Sequence, residues 1–200
     1  MSSMNILEHP EIIRLHEAIS ARSTQVHSDS AMRRAAVAVT FRAGANGEPE
    51  LLFIKRAEYP GDPWSGQIAF PGGRREAHDI TLEETAIRET REETGLDIAA
   101  SGRIIGALDE VQPQSVRLPE LVVAPFVAVV GEVAPFALAG EVSSAFWVPL
   151  QSLHAGDSWR DTEVSGRGYR MTKRAFHHDG HVIWGLTERI IAQLLSLLKG

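Results

Sequence analysis

Three glutamates close together in the sequence could hold a divalent cation. Glu89, Glu92 and Glu93 are separated by three and four residues, which places their side chains on one face of an α-helix. Gly95 is a typical helix end, so the acids lie near the negative end of the helix dipole, where anions are disfavoured. Mg²⁺ (or Mn²⁺) would relieve this repulsion, because it takes hard oxygen ligands and is often shared with substrate phosphates.

Flanking residues strengthen the case for a site. A run of acids alone is more often a solvated helix face. Here Gly72 and Gly73 form a turn ahead of the helix, Arg88 directly precedes Glu89, and Gly95 follows at a fixed offset. A sequence that places repelling charges at an unfavourable helix end usually does so for function.

This stretch resembles the Nudix box, G-x5-E-x7-R-E-U-x-E-E-x-G-U, where U is a bulky aliphatic residue. Residues 88–96 fill the second half, with Thr90 in the first aliphatic position. Gly73 fills the start, but the interval to Arg88 is one residue longer than in the box, so the early acid is either Asp79 or Glu76. The resemblance implies an α/β (α+β) fold of the Nudix type. In that fold a mixed β-sheet is sandwiched between helices, and the box forms a loop-helix-loop catalytic motif.

The resemblance also implies a reaction, in which water attacks a diphosphate that links a nucleoside group to another moiety. The candidate metal ligands are Glu89 and Glu93, with Glu92 as a third ligand or the general base. The candidate catalytic residues are Glu92, Arg88 and Glu141, and Glu110 is a further possible base. Arg88 is expected to orient a glutamate through a bidentate pair. Gly73 is expected to adopt a backbone conformation closed to other residues.

The substrate is suggested by residues ahead of the box. Residues 51–57 (LLFIKRA) and 65–73 (SGQIAFPGG) resemble the coenzyme A pyrophosphatase branch of the family. That resemblance implies cleavage of coenzyme A or acyl-coenzyme A into 3′,5′-ADP and 4′-phosphopantetheine. The candidate substrate-binding residues are Lys55, Arg56, Gly72 and Gly73, with Lys55 or Arg56 available for the 3′-phosphate.

Two departures from the branch leave other substrates open. Phe53 stands where the branch has threonine, and residues 59–63 (YPGDP) stand where it has an arginine. ADP-ribose, dinucleotides and nucleoside triphosphates are therefore alternatives. A non-catalytic module that senses a nucleotide is an alternative of another class, although it usually goes with loss of the acids, and all three are present here.

The resemblance implies a small-molecule nucleotide as partner, and composition argues against two other classes of partner. The net charge of −6 and the lack of a basic tract argue against nucleic acid, and the absence of cysteine excludes a thiol nucleophile. No apolar run approaches 18 residues, which argues against a membrane span. Residues 1–17 lack a signal-peptide core, so a cytoplasmic location is expected. The expected oligomeric state is a monomer or homodimer.

The pattern of apolar residues predicts one domain at 31–200, preceded by a helical extension at 1–30. Helices are predicted at Pro10–Arg22, Thr81–Thr94 (capped by Thr81 with Glu84, or by Asp79), Pro149–Leu153 and Val182–Leu198. Strands are predicted at Ala35–Phe41, Leu51–Ile54, Gln67–Phe70, Gly102–Leu108 and Leu121–Val130, and Phe146–Val148 leads into the helix that starts at Pro149. Pro113–Pro119 is predicted as a loop, and Trp159–Arg170 is left unassigned.

Overall fold

The computed structural model describes residues 5–29, 32–62, 64–113, 120–166 and 169–199. Its strands are β1 (Arg33–Ala43), β2 (Pro49–Arg56), β3 (Ile68–Ala69), β4 (Gly72–Arg74), β5 (Gly102–Ala107), β6 (Leu121–Val130), β7 (Val142–Pro149), β8 (Trp159–Gly166), β9 (Tyr169–His178) and β10 (His181–Ile183). Its α-helices are α1 (Pro10–Ser20), α2 (Leu82–Thr94), α3 (Ile98–Ser101), α4 (Leu150–His154) and α5 (Leu186–Leu198). Short 3-10 helices span Ile6–Glu8 and Gly156–Ser158.

Strand β1 is the centre of a mixed sheet. It runs parallel to β6 from the Arg33–Leu121 pair to the Phe41–Val129 pair. Its other edge is shared by two antiparallel strands, β4 near its start and β2 near its end. Strands β3 and β7 pair with β2, and β5 pairs with β6, while β8, β9 and β10 form a second, antiparallel sheet. The predicted hairpin of the first two strands is confirmed, as is the mixed sheet.

Alternating side chains of the central strands divide the interior into two hydrophobic clusters, one on each face of the sheet. The larger cluster joins α1, α4, α5 and the second sheet to one face, and its large buried side chains include Leu15, Phe41, Leu51, Phe53, Phe176 and Ile191. The smaller cluster joins α2 and α3 to the other face through Ala36, Ala38, Leu52, Ala86, Leu96, Ile98, Ala128 and Val130. Small residues on this second face let α2 approach the sheet closely, and α2 carries the acids.

The N-terminal helix shares the larger core. Ile12, Leu15 and Ile19 are buried there. Nη1 of Arg22 lies 2.7 Å from Oδ1 of Asp109, two residues after the end of β5. The predicted helix at Pro10–Arg22 is thus present, although its place in the core makes it part of the same packing unit as the sheet. The domain division at residue 30 stays a prediction. None of the helices in the described ranges is long and apolar enough to cross a membrane.

The C-terminal third differs most from the sequence prediction. The closing helix begins at Leu186 rather than Val182, because Gly185 has a φ of 74° and residues 181–183 pair with β9 instead. The unassigned Trp159–Arg170 segment contributes to the β8–β9 hairpin. Phe146–Val148, predicted only as the segment that leads into a helix, lies within the strand Val142–Pro149. Residues 114–119 of the predicted loop lie outside the described residues.

Candidate active site

Helix α2 is fixed at both ends by the residues that the sequence predicts. The hydroxyl of Thr81 accepts the amide of Glu84 at 3.1 Å, while the Glu84 carboxylate accepts the amide of Thr81 at 3.2 Å. This capping box excludes Asp79 as the cap and frees it for another role. At the other end Gly95 has a φ of 76°, a conformation that favours glycine. The predicted box helix is confirmed within one residue.

Buried threonines let this mostly polar helix pack against the sheet. Thr90 and Thr94 donate their hydroxyls to carbonyls one turn back, to Ala86 at 2.7 Å and to Thr90 at 2.6 Å. The hydroxyls are thereby satisfied inside the helix, so only methyl groups and Cβ atoms face the sheet. The close approach places Glu93, which is on the same side, against the first residues of β4.

Arg88 joins the start of the box to the acids. Its Nε and Nη2 donate to the two carboxylate oxygens of Asp79 at 3.0 and 2.9 Å, and Nη2 also donates to the Arg74 carbonyl at 3.1 Å. Nη1 donates to both Glu89 and Glu92, each at 3.0 Å. Arg88 therefore orients two glutamates as expected, but its bidentate partner is Asp79 rather than a glutamate.

Asp79, not Glu76, is the early acid that enters this network. Its carboxylate is buried and also accepts the Thr85 hydroxyl and the Glu76 amide, both at 2.9 Å. Hydrogen bonds from Arg88 hold the pKa of Asp79 well below its usual range, against the effect of burial. The Glu76 side chain is exposed. The extra residue in the interval from Gly73 to Arg88 thus leaves the structural carboxylate in place.

Glu93 is the most buried of the three acids, with a relative exposure of 2%. Its Oε2 accepts the amide of Gly72 at 2.8 Å. Burial raises the pKa of Glu93 to about 8, and the neighbouring charges of Glu89 and Glu141 add to the rise. Burial likewise raises the pKa of Glu89, although Arg88 opposes the shift. Burial therefore makes both carboxyl groups costly to ionise, and a divalent cation next to them would offset that cost.

The two glycines ahead of the helix are needed for different reasons. Gly72 has a φ of 153°, and a Cβ there would lie 2.2 Å from the Ala36 carbonyl oxygen. A Cβ on Gly73 would lie 2.4 Å from the carboxylate carbon of Glu89. The special backbone conformation expected at Gly73 is thus found at Gly72, whereas Gly73 leaves space for the Glu89 carboxylate.

The donors fit Mg²⁺ or Mn²⁺ chemically, because three carboxylates supply only hard oxygens. In the part of the chain that the structure describes, no group of three acidic or histidine side chains is already converged on one point. Glu89 and Glu92 instead share the single Nη1 donor of Arg88. A cation held by Glu89, Glu92 and Glu93 therefore requires the first two carboxylates to turn from Arg88.

The candidate substrate-binding cations, Lys55 and Arg56, are separated by the sheet. Arg56 lies on the side of α2, where its charge opposes the rise in the pKa of Glu93. Lys55 lies on the other face, where after burial it is the main cause that lowers the pKa of His181. By these electrostatic neighbours Arg56, and not Lys55, joins the acids.

The two further candidate bases occupy different surroundings. Glu141 is exposed in the turn before β7, its carbonyl accepts the Ala57 amide at 2.8 Å, and its charge acts on both Glu89 and Glu93. Glu110 has both carboxylate oxygens engaged, one by Arg34 and one by the His27 amide at 2.7 Å. The structure therefore brings Glu141, but not a free Glu110 carboxylate, to the acids.

Sequence reasoning missed two residues of the loop at 57–66. Asp62 pairs with Arg56 at 2.9 Å, and the Tyr59 hydroxyl donates to the Gly140 carbonyl at 3.0 Å, next to Glu141. The signal that could have found Asp62 was present, because an acid stands in the loop where the coenzyme A branch has an arginine. Nothing in the spacing indicated Tyr59.

Comparisons with known proteins agree with this geometry. The family model described as NUDIX domain matches residues 32–167. The chain is 34% identical over 157 residues to the mitochondrial coenzyme A diphosphatase NUDT8 of Homo sapiens, covering 76% of this chain and 64% of that protein. It is 31% identical over 172 residues to the uncharacterized Nudix hydrolase NudL of Yersinia pestis, covering 86% of this chain and 83% of that protein.

The fold has a counterpart among solved structures. A MutT/nudix family protein from Enterococcus faecalis superposes with a TM-score of 0.56 at 16% identity, over 90% of this chain and 66% of that protein. At this identity the similarity concerns the fold alone. Together with the sheet and helix arrangement above, it confirms the predicted α/β architecture with a mixed sheet between helices.

Proposed function

The chain belongs to the Nudix family of hydrolases, and from this premise we propose that it cleaves the diphosphate of coenzyme A or acyl-coenzyme A. The products are 3′,5′-ADP and 4′-phosphopantetheine or its acyl derivative. The observation that carries the proposal is the 34% identity to the human coenzyme A diphosphatase. This chain spans 64% of that protein's length, and the match includes enough sequence to contain the whole box.

Glu89, Glu92 and Glu93 hold the divalent ion on which members of this family generally rely. When bound, Mg²⁺ or Mn²⁺ polarises the phosphorus centre and lowers the pKa of a coordinated water. The site favours such a cation, since burial beside Gly72 makes the negative charge of Glu93 costly unless a positive charge lies next to it. Without a cation, the same charge would repel a polyanionic diphosphate.

The remaining residues orient and accept protons. Arg88 keeps Glu89 and Glu92 on the same side of α2 through one shared donor, Nη1. Glu92 is exposed and Glu141 faces the acids from the neighbouring turn, so either carboxylate can accept the proton of the attacking water. Arg56 donates to the diphosphate, because it is the cation beside Glu93.

This role for Arg56 differs from contact with the 3′-phosphate, and the two are separable. We expect Arg56→Ala to raise KM for coenzyme A and for dephospho-coenzyme A by the same factor, about tenfold. Steady-state kinetics on both substrates measure the two factors, with Lys55→Ala as the neighbouring-residue control. A much larger factor for coenzyme A would assign Arg56 to the 3′-phosphate instead.

The decisive experiment is product analysis by chromatography in the presence of Mg²⁺. Coenzyme A, acyl-coenzyme A, ADP-ribose, NADH and dinucleoside polyphosphates are compared at equal concentration, with Glu93→Gln as the blank. The expected result is preferred release of 3′,5′-ADP from coenzyme A. Preferred cleavage of another diphosphate would overturn the substrate but keep the reaction, and no cleavage of any would favour a nucleotide-sensing module.

The departures from the coenzyme A branch keep ADP-ribose and dinucleotides as alternative substrates. The loop at 57–66 has an acid instead of the branch's arginine, and that acid is paired with the cation nearest Glu93. A changed loop beside a retained acid cluster can alter specificity without altering the reaction. The comparison of substrates above therefore tests the loop as well as the family.

A further inference from the structure

The Asp62 carboxylate is held on both oxygens inside the loop at 57–66. Its Oδ2 accepts Nη2 of Arg56 at 2.9 Å, and its Oδ1 accepts the Trp64 amide at 3.0 Å. Burial alone would raise the pKa of Asp62, but the Trp64 amide and Arg56 outweigh it and lower the pKa. Asp62 is therefore a fixed anion that draws the guanidinium of Arg56 to one side.

Arg56 retains an unused donor in this position. Its Nε is out of contact with solvent and has no hydrogen-bond partner among the residues that the structure describes. Buried N–H groups are nearly always paired, so such a donor calls for an explanation. Arg56 is also the cation that acts on Glu93, at the centre of the acid cluster. Because Nε itself is closed to solvent, a phosphate oxygen of a bound diphosphate would pair with the accessible end of the Arg56 side chain, which is 26% exposed.

The loop that carries Asp62 is tied to the other side of the site. The Tyr59 hydroxyl donates to the Gly140 carbonyl at 3.0 Å, and the Ser65 hydroxyl accepts the Tyr59 amide at 2.9 Å. The Ala57 amide donates to the Glu141 carbonyl at 2.8 Å. Two of these bonds fix the start of the loop against the turn at Gly140 and Glu141, and the third ties Ser65 back to Tyr59. Asp62 is thus held at a defined place relative to the acids.

We propose that Asp62 is the positioning residue for Arg56, holding the exposed end of its guanidinium where a phosphate oxygen of the substrate accepts a hydrogen bond. This inference rests on the proposed function only in requiring a diphosphate substrate. It gives the acid in the loop a task that the coenzyme A resemblance does not include. Without the Asp62 carboxylate, Arg56 is still present, but its guanidinium is no longer held beside the phosphate.

The test compares two arginine–carboxylate pairs, each with one member on β2. Asp62→Asn keeps the shape of the side chain and removes its charge, and Asp62→Glu restores the charge. The matched control is Glu50→Gln, because the Arg42–Glu50 pair has a distance of 2.8 Å and side-chain exposures of 31% and 19%, against 2.9 Å, 26% and 19% for Arg56–Asp62. Arg42 and Glu50 lie at the opposite end of β2 from Arg56.

We expect Asp62→Asn to raise KM about tenfold with kcat within about twofold of wild type, and Asp62→Glu to recover most of the loss. In an Arg56→Ala background, Asp62→Asn should not raise KM further, because its effect on KM acts through Arg56. Glu50→Gln should leave both constants unchanged. An unchanged KM in Asp62→Asn, or an undiminished effect of that substitution without Arg56, would overturn the proposal.

Failure of the proposed function is distinguishable from failure of this inference. If wild type does not cleave coenzyme A, the same ratios are measured on whichever diphosphate it does cleave. The Nε–H resonance of Arg56 in a ¹⁵N spectrum provides a readout without substrate. It should be protected from exchange in wild type and Glu50→Gln and lose that protection in Asp62→Asn. Equal protection in all three proteins would contradict the positioning role.

Discussion

Two arginine–aspartate pairs flank the acid cluster, and they are built differently. In the box pair, Arg88 donates two parallel hydrogen bonds to Asp79, whose side chain is 2% exposed. Asp79 is further satisfied by Thr85 and by the Glu76 amide. In the loop pair, Arg56 makes one bond to Asp62, both side chains are partly exposed, and the Nε of Arg56 is unpaired within the described residues.

The difference indicates what each arginine can do. Every nitrogen of Arg88 is already used, on Asp79, Glu89, Glu92 and the Arg74 carbonyl, so this side chain serves as scaffold. Arg56 makes one bond to Asp62 and its side chain is 26% exposed, so the accessible end of its guanidinium can form a further hydrogen bond to a bound anion. An arginine–aspartate pair thus stabilises the fold at Arg88–Asp79, whereas at Arg56–Asp62 it orients an arginine that can bind a ligand.

The largest effect on stability is expected from removing the buried half of the box pair. Asp79→Ala leaves the Arg88 guanidinium without its bidentate partner in a mostly buried place. Breaking such a pair typically costs about 3–5 kcal/mol of unfolding free energy. Urea denaturation followed by circular dichroism measures the change, and thermal unfolding should show Tm lower by roughly 10 °C. A loss as small as that in Asp62→Ala would mean that the two pairs do not differ as described.

The largest effect on turnover is expected at Glu93, whose carboxylate accepts the Gly72 amide. Glu93→Gln preserves the side-chain volume and an acceptor for the Gly72 amide but removes the charge that a cation requires. We expect kcat to fall by at least ~10²-fold at unchanged fold. Kinetics at saturating Mg²⁺ and Tm are measured together, with the exposed Glu83→Gln on the same helix as control. Near wild-type turnover would exclude Glu93 as a ligand.

The pH dependence of stability separates the box pair from other carboxylates. The pKa of Asp79 is lowered in the folded protein, so its stabilisation is present above the ordinary carboxyl pKa and is lost as pH falls below it. Between pH 7 and pH 3, wild type should lose about 1 kcal/mol more unfolding free energy than Asp79→Asn. Urea titrations of both proteins across that range measure the difference, and parallel curves would contradict the lowered pKa.

The box pair and the loop pair also differ in how far the sequence predicts them. Thr81, Glu84 and Gly95 act through bonds within a few residues, so the helix that carries the acids follows from local chemistry. The Arg56–Asp62 contact depends instead on a loop that turns back on its own strand, which no periodicity encodes.

Features that depend on contacts between distant parts of the chain were not predicted, for the same reason. The closing helix starts at Leu186 because residues 181–183 join β9, and that pairing depends on a turn at Asp179 and Gly180 rather than on helical spacing. The different surroundings of Lys55 and Arg56 could not be predicted from strand alternation alone, because the register of β2 against β7 shifts between these two residues.

The smallest effect is expected from the loop pair, and it sharpens the comparison most. Because Arg56 and Asp62 are 26% and 19% exposed, water replaces much of what the pair provides. Asp62→Asn should therefore change the unfolding free energy by less than about 1 kcal/mol, close to the value for Glu50→Gln. Urea denaturation of the two variants at pH 7 makes the measurement. A loss as large as that of Asp79→Ala would identify Asp62 as scaffold, whereas a small loss accompanied by a raised KM separates binding from folding at this position.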